Sequence, residues 1–154
     1  LALALAAGLG ANPLRLEAAE IQKRHDVDDS EVAKLVADYM KAVDGRDFAA
    51  ITAMLTPDFE FDGPGAPSIT GTEAYVAALR RIAPINERND VKRVWVDGDE
   101  ACVIYDFVTN TQVGALPSVE WFTIRDGKIS RIRLIFHDQP WSKVLEELKT
   151  RPAA

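Results

Sequence analysis

The run ACVIYDFVTN at residues 101–110 decides the fold, together with VKRVWV at 91–96 before it and VEWFTI at 119–124 and ISRIRLIF at 129–136 after it. Each run is rich in β-branched and aromatic residues, and the turn pairs Asp97-Gly98, Val113-Gly114 and Asp126-Gly127 separate them. Four consecutive strands joined by short reversals make an antiparallel sheet. Upstream, the spacing predicts helices. Val32, Leu35, Val36, Tyr39, Met40 and Val43 recur at intervals of three and four, with Asp29 or Ser30 as the cap and Asp44-Gly45 as the end. A second, shorter helix starts after Asp47, buries Ile51, Met54 and Leu55, and stops at Thr56-Pro57. FEFD at 59–62 alternates apolar with acidic as a short strand does, and the loop Gly63-Pro64-Gly65-Ala66-Pro67 breaks it. Thr72 caps a third helix whose inward stripe is Tyr75, Val76, Leu79 and Ile82, ending before Pro84. The expected class is α+β in the order α-α-β-α-β-β-β-β, with a curved antiparallel sheet wrapped over helices.

The chain of 154 residues suits one domain with a substantial core. With 24 acidic against 18 basic side chains, its net charge of -6 repels a polyphosphate backbone and excludes nucleic acid as the expected partner. Cys102 is the single cysteine, so no intrachain disulfide forms, and its apolar run marks it as a small packing residue. With two histidines and no His-x-x-x-His or Glu-x-x-His spacing, no metal site is expected. Neither a glycine-rich phosphate loop nor a dinucleotide fingerprint is present, so no cofactor is expected. Leu1 to Ala11 is apolar, too short to span a bilayer, and similar to a signal-peptide core, although no Met and no basic segment precede it. A cytoplasmic location is the expectation, with export as its alternative. Asn12 to Asp29 reads as an accessory helix and a charged linker that holds His25.

Tyr39-Met40-Lys41-Ala42-Val43-Asp44-Gly45-Arg46-Asp47, Leu55-Thr56-Pro57-Asp58-Phe59, Ile124-Arg125-Asp126-Gly127-Lys128-Ile129 and the terminal Arg133-Leu134-Ile135-Phe136, in this element order, carry a resemblance. They resemble the nuclear transport factor two-like superfamily, in particular its SnoaL-like branch. The resemblance implies an N-terminal extension over 1–29, a cone domain over 30–141 and a C-terminal helix or tail over 142–154. It also implies a cavity for a small hydrophobic molecule and a homodimer formed through the outer sheet face, where Trp121, Thr123, Arg131 and Arg133 would lie. Relatives include ketosteroid isomerases, polyketide cyclases, limonene epoxide hydrolases and dehydratases, beside pockets without chemistry. The fold is therefore implied more sharply than the function.

Asp106 interrupts an apolar strand, and a carboxylate in such a place must be paired, protonated or facing a wet cavity. A hairpin turning near Val113-Gly114 sets Glu120 close across from it. Two carboxyl groups on one concave face raise each other's proton affinity, so one donates while the other accepts. One register away, one of them points outward to meet Arg131 or Arg133. Tyr39, on the inward face of the first helix, offers a hydroxyl to a developing oxyanion or else packs in the core. The resemblance matches Tyr39 to the isomerases' oxyanion-binding tyrosine and Glu120 to their protonated acid. Their base position falls on Gly63, one residue after Asp62, which disfavours steroid isomerisation. The epoxide hydrolases' arginine and second aspartate fall on Phe107 and Leu134, so that relay is incomplete.

The expected catalytic set is Asp106 as base, with Glu120 and Tyr39 binding the oxygen on which charge develops. Phe61, Asp62, Asn110, Phe122, Leu134, Phe136, Asp138 and Trp141 are the expected substrate-binding residues. Of the pair His137 and Asp138, strand alternation turns Asp138 inward. The function expected is cofactor-independent acid/base chemistry on a small hydrophobic molecule, as in an isomerase, cyclase or dehydratase. Its alternatives are a ligand-binding or dimerisation module without turnover and an epoxide hydrolase.

Overall fold

A computed structural model of the chain describes residues 29–64, 67–137, 140–143, 146 and 149. The N-terminal extension up to residue 28, including the apolar run and the accessory helix, lies outside the described residues. Helix α1 spans Asp29–Asp44 and buries Val32, Val36, Tyr39 and Met40. Asp29 and Glu31 sit in its first turn, where the helix dipole favours anions. Helix α2 (Phe48–Met54) is capped as its sequence predicts: the Asp47 carboxylate accepts from the Ala50 amide at 3.0 Å. The chain then leaves the helix at Leu55 rather than at Thr56-Pro57, because strand β1 (Leu55–Asp62) begins there. Strand β2 (Ile69–Thr70), which the sequence does not announce, is two residues long and pairs with Glu60 and Phe61. Helix α3 spans Thr72–Ile82; Gly71 is its cap, at φ +93, a backbone conformation glycine adopts freely. The Thr72 hydroxyl instead donates to the Thr56 carbonyl at 2.6 Å, tying α3 to β1.

Strands β3 (Asn86–Asp97), β4 (Glu100–Thr109), β5 (Ala115–Arg125) and β6 (Lys128–Phe136) follow as an antiparallel meander. The full order across the sheet is β2-β1-β6-β5-β4-β3. The expectation of a curved, wholly antiparallel sheet wrapped into a cone is corrected here. The sheet is mixed, since β1 and β6 run parallel, and it is open, with β2 and β3 at separate edges. Three hairpin reversals fix the direction of β6, and β1, separated from the meander by α3, joins it side by side. Parallel neighbours need such a crossover.

Helices cover one face of the sheet. There Val36, Tyr39, Ile51, Phe59, Val103, Phe122 and Ile132 form a closed core. The opposite face exposes Trp95, Trp121 and Ile135, each at least 40% accessible. Register places Trp95, Cys102, Trp121 and Arg133 in one row across four strands, with the Arg133 guanidinium 5.7 Å from the Trp121 ring centre. Among the described residues no helix is long and apolar enough to cross a membrane.

Candidate functional site

Side chains alternate across the faces of a strand, so register decides what each strand offers the helices. In β4 the inward set is Ala101, Val103, Tyr105, Phe107 and Thr109, and in β5 it is Leu116, Ser118, Glu120, Phe122 and Ile124. Between the lower part of these strands and the helices lies a cavity of about 670 Å³, within the range of small-molecule sites. Its wall is mostly apolar, with Met40, Val43, Leu79, Phe107, Leu134 and Trp141 among its residues.

Glu120 is the single carboxyl group on that wall among the described residues, and it is only 8% exposed. The Tyr105 hydroxyl donates to its Oε1 at 3.1 Å, while Oε2 is buried without a hydrogen-bond partner. Burial pushes the Glu120 pKa up to about 7, against the smaller opposing effect of the Tyr105 hydrogen bond. Tyr39 and Tyr75, also on the wall, share a 2.5 Å hydrogen bond between their hydroxyls. Burial first, then neighbouring charge, raises the pKa values of Tyr39, Tyr75 and Tyr105, so all three stay protonated and act as donors. Of the two hydroxyl protons on Tyr39 and Tyr75, one serves their mutual bond and the other is free for a ligand. Tyr75 and Tyr105 were not expected in the site. Tyr75 reads as one more apolar member of a helix stripe, and Tyr105 stands next to the more conspicuous Asp106.

Asp106 is not on the cavity wall. It faces the outer side of the sheet, opposite Pro117, and pairs with Lys92 at 3.2 Å. Glu120 stands opposite Val103 instead. The expected meeting of two carboxyl groups is therefore corrected: β4 and β5 pair residues of unlike parity, so even-numbered Asp106 and Glu120 fall on opposite faces. The outward alternative holds for Asp106, with Lys92 in place of either arginine.

Among the expected substrate-binding residues, Phe61, Leu134, Phe136 and Trp141 line the cavity. Asp62 does not; Ser68 donates to it at 2.5 Å and Arg131 pairs with it, and these partners hold its carboxyl below the ordinary range. Asn110 is exposed and donates to the Pro84 carbonyl at 3.1 Å, fastening the loop before β3. Phe122 is fully buried in the core, edge-on to Tyr39 with ring centres 5.5 Å apart. His137 is exposed, and Asp138 lies outside the described residues. No group of three His, Cys, Asp or Glu side chains suited to a metal ion occurs among the described residues.

A protein-family model described as a SnoaL-like domain matches residues 36–132. Bal32a, from a soil-derived mobile gene cassette, is similar in structure with a TM-score of 0.69 at 17% identity, over 75% of this chain and 96% of that one. A ketosteroid isomerase candidate from Kribbella flavida DSM 17836 has a TM-score of 0.65 at 22% identity, over 72% of this chain and 81% of its own. A polyketide cyclase candidate from Xanthomonas campestris pv. campestris has a TM-score of 0.61 at 22% identity, over 73% of this chain and 95% of its own. No curated protein matches the sequence. At these identities the structural likenesses show the fold, and the family match spans more than half of the chain. The chain belongs to the SnoaL-like domain family.

Proposed function

We propose that the cavity takes up a small, largely apolar carbonyl compound and that Glu120 moves a proton on it without a cofactor. The observation that carries this reading is a buried cavity carboxyl, lone among the described residues, whose pKa stands near 7. An acid poised there is available in both protonation states at neutral pH, which suits general acid/base work. As a carboxylate, Glu120 takes a proton from the carbon beside the carbonyl while the free hydroxyl proton of the Tyr39–Tyr75 pair supports the oxygen. Returning that proton to the far carbon of an adjoining C=C bond shifts the double bond and completes an isomerisation; attack of the enolate carbon on a second carbonyl of the same molecule instead closes a ring, and the proton then goes to the oxygen of that carbonyl. Asp106 has no part in this, and the epoxide-hydrolase reading loses its second carboxyl with it.

Small ketones held in deuterated buffer test the proposal through NMR of their α-protons. Wild-type protein should speed deuterium uptake, Glu120→Gln should lose on the order of a hundredfold or more of that rate, and Asp106→Asn should keep it. A second reading, ligand binding without turnover, is favoured by there being one carboxyl where the chemistry was expected to use two. Ketones that bind wild type but exchange no faster than in buffer would decide for it.

The proposal extends to a second copy of this chain as the partner of the outer sheet face. Three large apolar side chains stand exposed there in neighbouring rows, an arrangement that an isologous contact covers. Sedimentation should show a dimer that Trp121→Glu dissociates; a wild-type monomer at every concentration would remove this part of the proposal.

A further inference from the structure

Asn86 opens β3 opposite Thr109, lines the cavity, and is 9% exposed. Its side-chain Oδ1 is buried with no hydrogen-bond partner. Two polar residues nearby, Asn89 and Arg46, are committed elsewhere. Asn89 gives both its backbone amide and its Nδ2 to the Asp44 carboxylate, each at 2.8 Å, and Arg46 reaches only the Asn86 backbone carbonyl, at 3.4 Å. What surrounds this part of the cavity is apolar: Ile85 and Leu116 are buried together, with Ile82, Phe107 and Trp141 packed against them. A buried amide left unpaired costs about 1–3 kcal/mol, so an asparagine here is a burden on the fold unless something in the cavity bonds to it.

Asn86 is also far from Glu120. Along β4 their opposite numbers, Thr109 and Val103, stand six residues apart, which is about 20 Å of strand. Among the described residues, these two buried, unpartnered polar groups of the wall therefore mark two ends of one site, with Phe107 and Leu116 among the wall residues between them.

We infer that Asn86 is a specificity-determining residue, selecting ligands that carry a hydroxyl group at the end remote from their carbonyl. A hydroxyl fits because it both donates and accepts, and so satisfies the amide in either orientation of its planar end. The ligand class is then an elongated apolar molecule with an oxygen at each end. This rests on the proposed reading of the cavity as a carbonyl-compound site, which it deepens.

The test uses methyl ketones of increasing chain length, from octanone to hexadecanone, each beside its ω-hydroxy counterpart, with affinities measured by calorimetric titration. In wild type the hydroxyl should tighten binding by about tenfold, and only in the longer members. Asn86→Leu, which removes the amide at similar volume, should lose the hydroxyl gain, so that each ω-hydroxy ketone binds no tighter than its plain counterpart, with a thermal midpoint equal to wild type or higher. Asn86→Ala should lose the gain as well, so the result does not hang on one variant. A gain that survives both substitutions, or one that is the same at every chain length, overturns the inference while leaving the carbonyl site intact. Plain ketones that fail to bind wild type overturn the cavity reading itself, and this inference with it.

Discussion

Glu120→Gln should abolish a pH dependence of stability worth on the order of 3 kcal/mol. Burial holds the folded Glu120 carboxyl at about 7, whereas its ordinary value is 4.5. Between these two values the folded protein binds more protons than the unfolded chain does, so stability falls as pH rises. The contribution is fully present below about pH 4.5, is lost through about pH 7, and changes no further above it. Converted at 1.36 kcal/mol per pKa unit, that interval gives the order of magnitude above. Glutamine does not titrate, so the difference between wild type and variant should shift by that amount across the window, whatever constant offset its own amide adds. Urea unfolding of both proteins from pH 4 to pH 8 measures it. Parallel curves would mean that Glu120 titrates as an ordinary surface carboxyl, and the proposed proton carrier would be gone.

The element order was legible because its signals are local. The Asp47 cap, the four strand runs and the hairpin turns at Gly98 and Asp126-Gly127 need nothing beyond neighbouring residues, and Asp126 and Gly127 adopt the positive φ values such a turn requires. The site was half legible for the opposite reason. Whether Asp106 or Tyr105 faces the helices depends on the β4–β5 connection, and one residue more or less there exchanges the faces. That connection is closed by Thr109, whose amide and hydroxyl both reach the Gly114 carbonyl, at 2.9 and 2.8 Å, an arrangement not written in a Val-Gly turn pair. The Asp106 partner was hidden in a similar way. Lys92 lies where the β3–β4 register slips between Val91 and Arg93, and an alternation pattern cannot place a bulged residue. The parallel neighbour of β1 is a contact between segments some 70 residues apart, and no local pattern announces it. Glu120 was found because a carboxyl among Val119, Trp121 and Phe122 is conspicuous whichever face it takes.

Phe122→Ala should cost about 3–5 kcal/mol of stability, the usual range for emptying a phenylalanine site in a packed core. The expectation from sequence made Phe122 a substrate-binding residue, and the two roles predict different outcomes. In the structure its ring is fully buried and supports the edge of Tyr39, whose hydroxyl is bonded to Tyr75. Removing it leaves a void that the strand pairs Phe122↔Ala101 and Phe122↔Ile132 cannot close without moving the sheet. The loss should therefore appear first as a lowered urea midpoint, with Phe122→Leu recovering more than half of it. Ligand affinity should fall only as Tyr39 loses its support, and in parallel with stability. A variant that unfolds at the wild-type urea concentration while its ligand affinity collapses would return Phe122 to the cavity wall. That result would also remove the rigid backing on which the placement of the Tyr39 and Tyr75 hydroxyls depends, because a donor pair is preorganised only when the rings carrying it cannot shift.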